Sequence, residues 1–181
     1  MSTSGAPIWQ PATKYFDLKL ELDQTRAFLE YLSPGSVASK TKFVFARMVQ
    51  VLNNKEQLVA RNIQDHWSFD EYARNAKKIQ DHGWNYFICI NQTKGARRRA
   101  EDIEKVRAHF LDFDEEPQEL PTLCPPDLVV QSKRGQHWYW HTGRTDTTAI
   151  WRSVQRGLIR KFGGDPSVCD LPRVMRLPGA Y

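Results

Sequence analysis

The chain has 181 residues, long enough to bury one sizeable core, in two lobes at most, and too short for two large domains. With 40% hydrophobic, 26% charged and 12% aromatic residues, the composition excludes a disordered or low-complexity chain. A formal net charge of +5 points to an anionic partner, most simply a nucleic acid, and no apolar run is long enough to cross a bilayer.

Residues 1 to 14, rich in Ser, Pro and small side chains, read as a flexible lead-in to a single domain over residues 15 to 181. Met1 to Pro7 lacks both the basic start and the apolar stretch of a secretion signal, so a cytoplasmic setting is expected. Cys89, Cys124 and Cys169 are far apart and form no Cys-x-x-Cys pair, which fits reduced thiols rather than a disulfide framework or a zinc site. Leu22, Ala27, Phe28, Tyr31 and Leu32 suit an amphipathic helix that Pro34 and Gly35 stop. Phe43 to Val49 reads as a strand. Ser68 followed by Glu71 is a capping box, and Phe69, Tyr72, Ala73, Ala76 and Ile79 form the apolar stripe of a helix ending at Gly83.

Asn85 to Asn91 is a nearly continuous apolar run, as in a strand covered on both faces, with Cys89 inside it. Gln92 to Ala100 is a polar loop carrying Arg97-Arg98-Arg99, a solvated surface or a phosphate-steering element. Val106 to Glu116 then reads as a strand leaving an apolar interior. Alternation turns Asp112 and Asp114 the same way, roughly 6 to 7 Å apart. Two acids so placed repel each other unless a cation sits between them, and a divalent ion on oxygen ligands supplies one. Asp127 to Ser132 and Gln136 to His141 are two further strands joined through Lys133-Arg134-Gly135, a hairpin turn. Along the second, His137, Tyr139 and His141 share one face and Trp138 and Trp140 the other, so the tryptophans are expected in packing. Ile150, Trp151, Val154, Leu158 and Phe162 give a last helical stripe, ended by Gly163-Gly164. Strands and helices mix without a βαβ rhythm, which favours an α+β fold with a mixed or antiparallel sheet and flanking helices.

If the Ser132 to His137 hairpin pairs beside the acidic strand, His137 and the turn cations face a nucleotide whose phosphates a metal holds. A third carboxylate for such a site comes from Asp165 or Asp170. Arg173 and Arg176 are one helical turn apart and suit phosphate, with a salt bridge from Arg173 to Asp170 as the plainer use.

Asp112-x-Asp114, then Ser132 to His137, then Asp165 with Arg173-Val-Met-Arg176-Leu-Pro-Gly179, closely resembles the archaeo-eukaryotic primase superfamily. The nearest likeness is to the RepB-like primase and primase-polymerase domains of plasmids, phages and mobile elements. It runs from about Asn85 to Tyr181, and more loosely from Phe69. The resemblance implies an archaeo-eukaryotic primase-like catalytic core that performs template-dependent nucleotidyl transfer on single-stranded DNA by two metals, Mg²⁺ or Mn²⁺. It implies that Asp112, Asp114 and Asp165 bind the metals, with Asp170 as the substitute third acid. His137 then contacts the phosphates of the incoming NTP or dNTP, with Ser132 and Arg176 as secondary nucleotide contacts. The Ser-to-His spacing is longer than in some members. Relatives continue beyond Ala180-Tyr181, so an excised domain is expected, its parent often carrying a helicase module. Two other readings stand beside this one. A metal-dependent glycosyltransferase also uses Asp-x-Asp, and a non-catalytic origin-binding or single-strand-binding module needs only the basic charge and aromatics.

Overall fold

Local signals fix where the helices begin and end. Ser68 caps a helix over Phe69–Asp81 reciprocally: its hydroxyl accepts from Glu71 N, and the Glu71 carboxylate accepts from Ser68 N at 2.7 Å. That backbone bond, more than the hydroxyl contact, holds the Glu71 carboxyl below its usual range. Further helices cover Leu22–Leu32 and Thr148–Phe162. In chain order the elements of this computed structural model are β1 (Ile8–Trp9), α1 (Leu22–Leu32), β2 (Phe43–Leu52), β3 (Leu58–Trp67), α2 (Phe69–Asp81), β4 (Asn85–Cys89), β5 (Gln92–Thr93), β6 (Ile103–Lys105), β7 (Ala108–Phe113), β8 (Leu128–Gln131), β9 (Gln136–His141), α3 (Thr148–Phe162) and β10 (Val174–Arg176). The structure describes residues 8–9, 21–52, 58–115, 119–132, 135–142 and 148–180.

The strands form one mixed sheet in the order β1-β8-β9-β7 and one antiparallel sheet in the order β10-β4-β2-β3, with β5 and β6 as a small pair, an α+β architecture as expected. Alternation sorts the first sheet into two faces. Ala108, Phe110, Leu128, Val130 and Tyr139 join α1, α2 and the second sheet in the main core. Leu111, Phe113, Val129, Trp138 and Trp140 face the other way, toward Ile159 and Phe162 of α3. Trp140 stacks on Phe162 at 5.8 Å, so the tryptophans pack as expected.

Being an edge strand, β7 must satisfy its outward backbone groups, and α3 with the loop after it does so. Trp151 Nε1 donates to Ala108 O at 3.1 Å. Gln155, fully buried, accepts from Phe110 N at 3.3 Å, donates to Phe110 O, and donates to Val168 O at 2.9 Å. Asp165 N donates to Asp112 O at 2.9 Å, completing the row.

Several expectations are corrected. Within the lead-in over residues 1 to 14, Ile8 and Trp9 add a parallel strand at the edge of the sheet beside β8; the rest of that segment lies outside the described residues. Arg173 and Arg176 are not on a helical turn. Prolines at 172 and 178 bracket Val174–Arg176, which pairs with the free edge of β4 as a strand. Ala27 is exposed, and Thr25 and Leu29 take its place in the buried stripe of α1. The β3 strand, a full partner to β2, was not foreseen. The Arg97-Arg98-Arg99 run is a solvated surface at Arg97 and Arg99, as expected; these two pair with Asp102 at 3.3 Å and Glu101 at 3.7 Å, and Arg98 donates to Pro172 O. Cys89 is buried, and burial pushes its thiol up to about 12.

Replacing Gln155 by Leu keeps the volume but strands Phe110 N–H, Phe110 C=O and Val168 C=O. We expect a loss of about 3 kcal/mol in urea unfolding. A loss below about 1 kcal/mol would show that the β7 edge is held by other means.

Candidate active site

β7 and β9 are antiparallel neighbours with Asp112 directly opposite His137. Cross-strand partners share a face, so the two side chains meet, His137 Nε2 lying 3.2 Å from Asp112 Oδ1. His137 is buried and Asp112 half-buried. The Tyr139 hydroxyl lies 3.5 Å from His137 Nδ1 on the same face. A neutral imidazole carrying its proton on Nε2 satisfies both contacts, donating to Asp112 and accepting at Nδ1.

The third acid arrives through the two glycines that end α3. Gly163 takes φ +82°, a left-handed cap that a side chain would strain, and Gly163 N donates to Ile159 O at 2.8 Å. A Cβ on Gly164 would lie 3.2 Å from Leu111 Cβ and 3.4 Å from Asp112 O, so only a bare backbone passes comfortably so close to β7. The chain thus delivers Asp165 beside the end of β7. Asp112, Asp114, Glu115 and Asp165 line one open cavity of about 260 Å³ together with Phe113, Gly163, Gly164 and Pro166. The Asp165 carboxylate accepts from Ser167 N and Ser167 Oγ, both at 2.8 Å, and this Asx turn fixes its direction.

The remaining candidates are placed differently. Asp170 is not among the cavity residues; it forms an ion pair with Arg173, its Oδ1 accepting from Nε at 2.7 Å, the plainer use foreseen for that arginine. Ser132 shapes the β8–β9 turn: its hydroxyl lies 3.0 Å from Gly135 N and 2.9 Å from Gly135 O. The turn cations Lys133 and Arg134 lie outside the described residues. Arg176 sits on β10, donating to Asn85 Oδ1 at 3.3 Å with its guanidinium 5.1 Å from the Phe87 ring centre. Three contributors to the site were not read from the sequence: Gln155, Glu115 and the close approach of Gly135. A polar residue inside the stripe Trp151, Gln155, Ile159 was the available signal for the first.

Among the described residues, no three His, Cys, Asp or Glu side chains stand together as a preformed metal cluster. The donor chemistry nonetheless suits a hard divalent cation, since three aspartates, Asp112, Asp114 and Asp165, are among the residues that line one solvent-open cavity. Each carboxylate keeps lone pairs beyond those engaged by His137 or Ser167.

No protein-family model and no curated protein sequence matches the chain. Solved structures do. The archaeo-eukaryotic primase domain of the cyanophage S-2L primase-polymerase is similar with a TM-score of 0.63 and 18% identity, over 87% of this chain and 81% of that one. The catalytic domain of primase RepB′, solved in complex with initiator DNA, is similar with a TM-score of 0.59 and 17% identity, over 88% of this chain and 76% of that one. A further RepB′ primase structure has a TM-score of 0.57 and 18% identity, and this chain spans half of it. The fold is that of archaeo-eukaryotic primase catalytic domains.

The β8–β9 turn is locked to the end of β7 by contact: a Cβ on Gly135 would fall 1.8 Å from Phe113 O. Gly135→Ala is expected to lower the melting temperature by about 5 °C or more in circular dichroism. A shift within about 1 °C would show that the turn and the acidic strand end separate freely.

Proposed function

We propose that this chain, with the fold of the archaeo-eukaryotic primase domains, joins NTPs or dNTPs on a single-stranded DNA template, making or extending a primer. The observation that supports this most is the convergence of Asp112 and Asp114 with Asp165, from two separate segments, on one cavity that His137 flanks through Asp112. Residues 15 to 181 are read as the catalytic domain, working in the cytoplasm.

In this reading Asp112, Asp114 and Asp165 hold Mg²⁺ or Mn²⁺. Once bound, the ions supply charge neutralisation on the triphosphate and lower the pKa of the attacking 3′-hydroxyl. His137, whose Nε2 lies against Asp112, is the side chain assigned to the phosphates of the incoming nucleotide. Tyr139, at Nδ1, orients the ring from behind. Ser132 acts through the turn it closes, and Arg176 is the further cation assigned to the nucleotide. No side-chain nucleophile is needed, since positioning and electrostatics account for the chemistry.

Asp114 is exposed, so Asp114→Asn should leave the melting temperature within about 2 °C. The same variant should abolish incorporation of labelled nucleotide into a primed single-stranded template with Mg²⁺ or Mn²⁺. Parental incorporation by this variant would remove the acid from the reaction, and a chain that binds strands without catalysis would show no incorporation even unmutated. For His137→Ala we expect a raised nucleotide KM with residual kcat, and an unchanged KM would exclude the imidazole from the nucleotide.

A further inference from the structure

The outer surface of α3 carries cations that the proposed chemistry leaves unused. Trp151, Gln155 and Ile159 are the buried residues of this helix, and Arg152, Arg156 and Arg160 each follow one of them by a single position. The four-residue spacing lines the arginines up along one shoulder at intervals of about 6 Å. All three are exposed, and the helix contains no Asp or Glu. Arg152 Nε donates to Cys169 O at 3.4 Å, so this shoulder is the one beside the loop that carries Asp165. At the other end of the row, Arg160 lies two residues before Phe162, after which Gly163, Gly164 and Asp165 line the cavity.

The contrast with the run at 97 to 99 is informative. There, Arg97 and Arg99 have carboxylate partners and Arg98 a carbonyl. Among the described residues neither Arg156 nor Arg160 has a carboxylate partner. A helix-dipole role accounts for a cation in the last turn, but not for Arg152 and Arg156 further back. Evenly spaced guanidinium groups complement a chain of phosphates, each able to take two parallel hydrogen bonds.

We infer that Arg152, Arg156 and Arg160 of α3 form a track for the phosphates of a single DNA strand, leading toward the Asp112–Asp165 cavity. Calling that strand the template rests on the proposed function; the track itself does not.

The test is fluorescence anisotropy of a labelled single-stranded oligonucleotide on the full chain across a salt series, without nucleotide or divalent metal. Arg156→Gln with Arg160→Gln keeps helix-forming residues and removes two cations. It is expected to weaken binding about tenfold and to flatten the slope of log K against log salt by about 1.4. Lys77→Gln with Lys78→Gln, both exposed on α2, removes the same charge elsewhere and should leave the slope unchanged. Arg156→Lys with Arg160→Lys should keep the parental slope, which guards against reading a folding defect as lost binding. Equal losses from the arginine and lysine pairs, or no loss from the arginine pair, would overturn the track. Stronger competition by a duplex than by the single strand would overturn the single-strand assignment. Failure of the parent chain to incorporate nucleotides would sink the proposed chemistry while leaving this binding result intact.

Discussion

The outer edge of β7 is the constraint on which the site depends. An edge strand buried under a helix must have its outward N–H and C=O groups paired, because each one left bare costs on the order of 1 to 3 kcal/mol. One glutamine meets the demand at Phe110, joining the middle of β7 to α3 and to Val168 in the following loop. The loop is then held close enough for Asp165 N to reach Asp112 O. The meeting of two acids distant in sequence is therefore a by-product of closing a sheet edge, with the backbone fixed before any side chain is asked to bind.

The same sheet separates support from chemistry by alternation alone. On one face of β7 and β9, Leu111, Phe113, Trp138 and Trp140 make a dry contact with α3. On the other, the series Ala108, Phe110, Asp112 passes from core to cavity, matched across the ladder by His141, Tyr139 and His137. The polar end of this series sits where the strand runs out and Gly135 brings the neighbouring turn against Phe113. Similarity to primase catalytic domains at 17 to 18% identity thus coexists with a geometry whose logic is local and can be followed residue by residue.

Much of this is legible in the sequence. The Ser68 and Glu71 capping box and the paired glycines that end α3 follow from short-range rules, and both are present; the α3 stripe is corrected, since Ile150 and Val154 are exposed and the buried residues are Trp151, Gln155 and Ile159. What was not legible depended on distant partners. Leu58–Trp67, with its mixture of Asn, Gln, Asp, His and Arg, has weak alternation and becomes a strand because ten residues of β2 pair with it. Val174–Arg176 has a spacing that a helix would also satisfy, and only the open edge of β4 decides the matter. Ser132 reads as a nucleotide contact by position, yet its hydroxyl closes a turn. Gln155 lies off the stripe expected for α3, and its backbone partners on β7 are forty-five residues away in the chain.

The long β2–β3 ladder is supported unevenly. β4 pairs with β2 only at Phe45 to Met48, while β2 and β3 pair with each other from Phe43 and Trp67 out to Leu52 and Leu58. The inner part is pinned by a third strand and by the core under Phe43 and Phe45; among the described residues the outer part has one ladder. Two strands alone are marginal in water, so cooperativity should fall off along the ribbon, which opens by local fluctuation from its far end. Amide exchange would then be graded along a single hairpin, fast at the outer rungs and as slow as global unfolding near Phe45, dividing one continuous element into a rigid root and a labile extension.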